Sequence, residues 1–192
     1  MKRKYNIIYA DPPWHYRDKA RSGKRGADYK YRTMPLLEIA RLPVHRIAAD
    51  NCALFLWVTF PLIFDVKLVI DMWGFKYKNR AFNWVKKNPK KDTWYMGLGN
   101  YVRGGDEVCL LATRGRLKRQ SASVSSIVET PTLKPHSRKP AVVRDRIVQL
   151  FGDLPRIELF ATEVVAGWDA TGYEVDRMDI RDVLSSAFRE MD

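Results

Sequence analysis

Five short runs rich in β-branched, aromatic and aliphatic residues, at 5–10, 52–59, 80–86, 107–113 and 156–161, punctuate this chain, with segments of helical periodicity between them. That alternation predicts an α/β sheet, mostly parallel and flanked by helices. The helical segments carry their own start and stop signals. Pro35 opens Pro35-Leu36-Leu37-Glu38-Ile39-Ala40 in a position suited to a first helical turn. Residues 61–73 repeat apolar side chains at helical spacing and meet a terminator at Gly74. A third helix is expected from Ala141 to Phe151, entered after Pro140 and closed by Gly152, and an amphipathic one from Asp179 onward.

At 192 residues the chain suffices for one domain with a full hydrophobic core and is too short for two comfortable ones. It reads as a single domain, with a core of about residues 5–175 and a helical tail over 176–192. Charge is the informative part of the composition. Lys and Arg number 34 against 22 Asp and Glu, a formal charge of +12 that attracts polyanions and makes nucleic acid the expected partner. Cys52 and Cys109 both lie in apolar runs, and His15, His45 and His136 are scattered, so neither a disulfide framework nor a metal site is expected. Met1-Lys2-Arg3-Lys4 leads into a short strand, not a signal sequence, and no apolar run reaches the length of a membrane span. A reducing cytoplasm is the expected compartment.

The first strand, Tyr5-Asn6-Ile7-Ile8-Tyr9-Ala10, runs directly into Asp11-Pro12-Pro13-Trp14. Asp-Pro and Pro-Pro are ordinary turn chemistry. At the end of a buried strand, where open α/β sheets bind ligands, they acquire a second meaning. An exocyclic amine of a nucleobase donates its lone pair into the ring and attacks weakly. A carboxylate and a backbone carbonyl that accept its two hydrogens turn that lone pair outward. Pro12 has no N–H and a fixed φ, so the segment is expected to present carbonyl oxygens free of internal hydrogen bonds. Trp14 offers a flat face for stacking.

Residues 15–33 (with Arg17, Lys19, Arg21, Lys24, Arg25, Lys30 and Arg32) and 114–139 (opening on Arg114, Arg116, Lys118 and Arg119) show little periodicity and read as long loops. Long loops in a compact domain are usually functional or disordered, and these are cationic. With Lys86, Lys87, Lys90 and Lys91 they are candidates for holding a nucleic-acid backbone.

Arg156-Ile157-Glu158-Leu159-Phe160 reads as a strand whose acidic residue can accept hydrogen bonds from ribose hydroxyls. A salt bridge with Arg156 or a nearby lysine is the competing assignment for Glu158. No Gly-x-Gly-x-x-Gly or phosphate-cradling loop is present, which disfavours nicotinamide cofactors and nucleoside triphosphates. S-adenosylmethionine carries no phosphate and needs no such loop.

Taken in order, Ile8-Tyr9-Ala10-Asp11-Pro12-Pro13-Trp14, Tyr31-Arg32-Thr33-Met34, Leu54-Phe55-Leu56-Trp57-Val58-Thr59, Trp84-Val85-Lys86, Gly104-Gly105-Asp106-Glu107-Val108-Cys109-Leu110, Ser137-Arg138-Lys139-Pro140, Ile157-Glu158-Leu159-Phe160 and Gly167-Trp168-Asp169 resemble blocks of the Asp-Pro-Pro-Trp adenine-N6 methyltransferases. That group includes the catalytic subunit of the eukaryotic messenger-RNA adenosine methyltransferase and bacterial and phage enzymes. The resemblance spans most of residues 5–175. It implies a Rossmann-like S-adenosylmethionine-dependent fold in permuted order, with the catalytic loop early and the cofactor strand late. In that reading Asp11 and the Pro12 carbonyl hold the target amine within the catalytic segment Asp11, Pro12, Pro13 and Trp14. Trp14 and Trp57 wall the base, Tyr31 gates it, and Lys86, Glu107, Arg17 and Arg25 contact substrate. The cofactor set comprises Ala10, Asp11, Ser137, Lys139, Glu158, Phe160, Thr162, Trp168, Tyr173 and Glu174.

The chain departs from the family in places. Ala161 and Thr162 follow Phe160 where the family often has glycine and arginine, and Tyr173-Glu174 stand where the eukaryotic enzyme has a polar amide pair. The implied reaction is methylation of adenine N6 in nucleic acid, DNA in preference to RNA, by a monomer or homodimer without an obligatory partner. Cytosine N4 or a protein amide as target, and a non-catalytic nucleic-acid-binding subunit, are the competing readings.

Overall fold

The computed structural model describes residues 3–15, 33–97, 99, 101–132 and 138–189, with backbone only for 186–189. Arg17, Arg25, Tyr31 and Ser137 lie outside the described residues. Among these residues eight strands form one sheet: β1 (Tyr5–Ala10), β2 (Ala48–Val58), β3 (Lys76–Asn88), β4 (Lys91–Trp94), β5 (Asp106–Arg114), β6 (Ile127–Pro131), β7 (Arg156–Leu159) and β8 (Asp169–Thr171). The helices are α1 (Leu36–Ala40), α2 (Val66–Met72), α3 (Ala141–Phe151), α4 (Tyr173–Asp176) and α5 (Ile180–Arg189). The strand order is β4-β3-β5-β2-β1-β7-β8, with β6 beside β3.

Parallel pairings join β1 to β2 and β7, β7 to β8, and β3 to β6; β5 runs antiparallel to β2 and β3, as β4 does to β3. Strand β1 is therefore central, with the strand that follows it on one side and the late strand β7 on the other. Such a reversal of winding is where open α/β sheets leave a crevice beyond their strand ends. Ala10 lies beside Leu56 and Leu159, so the exits of β1, β2 and β7 adjoin.

Two cores sandwich the sheet because successive strand residues point to opposite faces. Ile8, Ala10, Leu54, Leu56 and Val58 pack with Ile39 of α1, Val66, Val69 and Ile70 of α2, and Leu184 of α5. Ile7, Tyr9, Phe55 and Trp57 pack on the other face with Val143, Ile147 and Phe151, the i, i+4, i+8 stripe of α3. The near-continuous apolar run of β1 follows from this two-sided burial.

Several boundaries differ from expectation. Pro35 is the residue before α1, with an extended ψ of 146°, so the helix begins at Leu36. The 61–73 segment opens as a 3-10 turn (Phe60–Leu62), and α2 ends before Gly74, whose φ of 81° makes the turn. β6 interrupts the expected loop at 114–139. Its Ile127, Thr130 and Pro131 carry no long apolar run, and its place is set by parallel pairing with β3.

Candidate active site

The exits of β1 and β2 and the entry of β5 assemble a half-buried chain of alternating charge. Lys139 Nζ stands 2.5 Å from Asp11 Oδ2 and 3.2 Å from a Glu107 oxygen, and Glu107 also pairs with Lys86. Asp11 directly follows β1, Glu107 is the second residue of β5, Lys86 lies near the end of β3, and Lys139 is held just before Pro140 and α3. The ladder brings them together: Trp84 pairs with Glu107, and Val58 with Val108.

Burial raises the Asp11 carboxyl above its ordinary value, and the Lys139 ammonium opposes that shift without cancelling it. Glu107 has two cations against it. Burial pushes its carboxyl up, but Lys139 and Lys86 outweigh that and hold it below the usual range. Burial works against the Lys139 charge, yet Asp11 and Glu107 keep its pKa above the ordinary lysine value. The site is thus a fixed cation between two carboxylates, one of which accepts a proton more readily than a normal aspartate.

The aromatic residues are arranged differently from expectation. Trp14 is not an open stacking platform; it is 4% exposed and donates its indole N–H to the Trp57 carbonyl at 3.0 Å. A short parallel bridge with Met34 covers it, in which Met34 N–H donates to the Pro13 carbonyl at 2.7 Å. The Pro12 carbonyl is not free of internal bonds either, since Trp14 N–H donates to it at 2.9 Å and closes a tight turn. A carbonyl oxygen has two lone pairs, so one remains. Trp57 is 1% exposed, donates to the Tyr9 hydroxyl at 2.7 Å, and lies under Lys139, whose Nζ is 5.4 Å from its ring centroid. It forms the floor beneath the Asp11–Lys139 pair.

The late strand contributes a second charged cluster. Glu158, 6% exposed, receives two hydrogen bonds from Arg144, at 2.6 and 2.9 Å. The competing salt-bridge assignment thus correctly anticipated a pairing but named the wrong cation, for Arg156 pairs with Asp153 instead. Glu163 extends the cluster by binding Arg144 at 3.1 Å and Arg138. Arg144 is missed by sequence reading because it borders the apolar stripe of α3 at Val143 and Ile147, where an arginine ordinarily turns outward. Its guanidinium also lies 5.9 Å from the Tyr9 ring, and Trp168 meets that ring edge-on at 5.9 Å.

Phe160 turns the chain sharply after β7 with φ 60°, in the left-handed region, and Ala161 N–H then donates to Thr171 at 3.0 Å. Thr162 follows in the half-buried loop, while Tyr173 and Glu174 lie exposed on α4. Arg177 covers the Tyr173 ring at 5.6 Å. A groove of about 1030 Å³ runs from Lys139 along α3, past Arg144 and Glu163, to Trp168. Beyond β2, the hydroxyl of Thr59 is buried with no hydrogen-bond partner among the described residues. Among those residues, no helix is long and apolar enough to cross a membrane.

The MT-A70 family profile matches residues 5–174. The Mycoplasma protein "Type II methyltransferase M.MunI" is 34% identical over 194 residues, covering 91% of this chain and 79% of that protein. The human "N(6)-adenine-specific methyltransferase METTL4" is 26% identical over 91% of this chain and 38% of its own length. The "N6-methyladenosine RNA methyltransferase MTA1" of Pyricularia oryzae is 27% identical over 89% of this chain and 47% of its own length. The chain thus spans most of the bacterial relative and less than half of each of these two eukaryotic ones.

Proposed function

Because the chain belongs to the MT-A70 family, we propose that it transfers a methyl group from S-adenosylmethionine to the N6 amine of adenine, with DNA as the polymer. The observation that carries this reading is the Asp11–Lys139 pair at the exit of the central strand. The adenine target draws support from the human relative, a nucleic-acid substrate from the formal charge of +12, and the choice of DNA from the greater similarity to the bacterial Type II enzyme than to the fungal RNA enzyme.

The donor set of the groove suits S-adenosylmethionine, which supplies an electrophilic methyl group on a sulfonium. Lys139 and Arg138 offer cations for its carboxylate. Arg144 lines the groove and Glu158 stands behind it as its partner, keeping one lone pair on each oxygen for a ribose hydroxyl. Trp168 offers an aromatic edge at the far end of the groove.

Asp11 performs the chemistry assigned to the chain itself. Its Oδ2 is engaged by Lys139, leaving Oδ1 to accept one amine hydrogen while the remaining lone pair of the Pro12 carbonyl accepts the other. Positive charge develops on the amine nitrogen during attack, and a fixed carboxylate beside it favours the transition state over the ground state. The raised pKa of Asp11 also suits it to take the proton that the methylated amine releases. Lys139, itself seated over the Trp57 ring, fixes the carboxylate, so alignment is set before substrate arrives. A base in a duplex must leave the stack to reach Asp11.

Matched DNA and RNA oligonucleotides incubated with labelled cofactor, followed by mass spectrometry of the nucleosides, test this. N6-methyldeoxyadenosine in the DNA arm is expected. Product confined to RNA overturns the polymer, N4-methylcytosine overturns the base, and no nucleoside product with any substrate overturns the function.

A further inference from the structure

The segment joining β3 to β5 exposes aromatic and cationic side chains together, and the acceptor network does not use them. β3 and β4 pair in a short ladder, Lys87 opposite Trp94 and Asn88 opposite Lys91. Past it the chain narrows to a neck. Gly97 N–H donates to the Gly104 carbonyl at 2.8 Å. A Cβ on Gly97 meets that carbonyl at 2.3 Å, and one on Gly105 meets the Tyr95 carbonyl at 2.4 Å, so only glycine permits this closeness. Beyond the neck Tyr101 is fully exposed and Val102 is 80% exposed. Trp94, on the same projection, is 54% exposed, with Lys87 Nζ 5.2 Å from its ring centroid.

Charge selects the kind of partner. Lys90, Lys91 and Arg103 are exposed and form no ion pair among the described residues, while the nearby Asp92 is occupied by Lys87 at 2.8 Å. Exposed aromatics interleaved with cations suit a strand of nucleic acid, whose bases stack and whose phosphates attract. Position selects the role. The base of the finger lies at the end of β3 beside Lys86 and at the start of β5 beside Glu107, with Lys86 N–H donating to the Gly105 carbonyl and Tyr95 N–H to the Lys86 carbonyl, each at 2.8 Å. Lys86 and Glu107 lead through Lys139 to Asp11.

We propose that this finger is a base-stacking wedge. Tyr101 and Trp94 stack on bases beside the target and hold the nucleic acid open while the target adenine occupies the Asp11 site. The inference rests on the nucleic-acid reading above and adds a binding element to it. Extruding a base leaves its neighbours unstacked, and an inserted side chain replaces part of the lost stacking.

The test uses the full chain and a random-sequence DNA duplex pool carrying 5-iodouracil, irradiated and mapped by peptide mass spectrometry, with binding measured by fluorescence anisotropy. Crosslinks are expected at Tyr101 and Trp94. Tyr101→Ala should weaken binding on the order of tenfold, the scale of one lost base–aromatic stack. Tyr101→Phe should bind like the parent, and circular dichroism should show both variants folded. If the parent chain binds and methylates the pool, yet crosslinks map elsewhere and Tyr101→Ala binds normally, the wedge is wrong and the proposed function stands. Self-association of the parent that Tyr101→Ala abolishes, without crosslinks at the finger, makes it a protein interface and also overturns the wedge. A parent chain that neither binds nor methylates nucleic acid removes both proposals together.

Discussion

The Lys139 ammonium lies 2.5 Å from Asp11 although 128 residues separate them in sequence, and it reaches Glu107 at 3.2 Å from the same position. One cation thus holds a carboxylate just past β1 and another on β5. Its removal bears on stability and on chemistry at once, and the two effects are separable.

Lys139→Met leaves the half-buried Asp11 and Glu107 without the charge between them. Breaking a fully buried pair by deleting one partner costs about 3–5 kcal/mol, and this partly exposed cluster should lose less, read by denaturant unfolding. The chemical effect has a definite sign. Asp11 accepts amine hydrogens as a carboxylate, so activity falls as pH drops through its already raised pKa. Without Lys139 that pKa rises further, and the acid limb of the activity profile moves to higher pH. Residual activity with an unmoved acid limb contradicts the electrostatic role given to Lys139.

Glu107→Gln tests the other side of the chain. The Glu107 carboxyl is held below its ordinary value of 4.5. A depressed folded-state pKa contributes stability above the unfolded value, which is lost as pH falls through the folded one. The variant should therefore be less stable than the parent at neutral pH. That difference should shrink as pH drops below about 4.5. Parallel stability curves across the acid range exclude this contribution.

Glu158 presents a choice between a structural and a binding role. Arg144→Met alone leaves a buried carboxylate unpaired and should lower stability by about 3–5 kcal/mol. Arg144→Met combined with Glu158→Leu should recover much of that loss, because an apolar pair of similar volume often replaces a buried ion pair without penalty. Calorimetry then decides the binding role. The recovered double variant also lacks Arg144 from the groove wall and is expected to bind S-adenosylmethionine more weakly than the parent; equal affinity removes both Glu158 and Arg144 from the cofactor set.

The limits of reading this sequence follow from which interactions are local. Runs such as Ile7-Ile8-Tyr9-Ala10 and the stripe Val143, Ile147, Phe151 announce their elements because periodicity and burial coincide. β6 and β8 are short and held by pairing, so their residues carry little signal of their own. The acceptor segment was legible as chemistry, with Asp11 at the exit of a buried strand. The orientation of Trp14 was not, because it depends on the Trp57 carbonyl and on Met34, neither of which is near in sequence. Arg144 and Glu163 were hidden for the same reason, since a charge at the edge of a helical stripe looks solvated until its partner strand is placed.

The most direct test of the account is methyl transfer by Asp11→Ala, with labelled S-adenosylmethionine and an adenine-containing DNA substrate, alongside calorimetric binding of the cofactor to the same variant. Loss of N6-methyladenine formation with cofactor binding still detectable is the predicted result. Turnover at the parent rate contradicts the assignment of Asp11 as the amine acceptor.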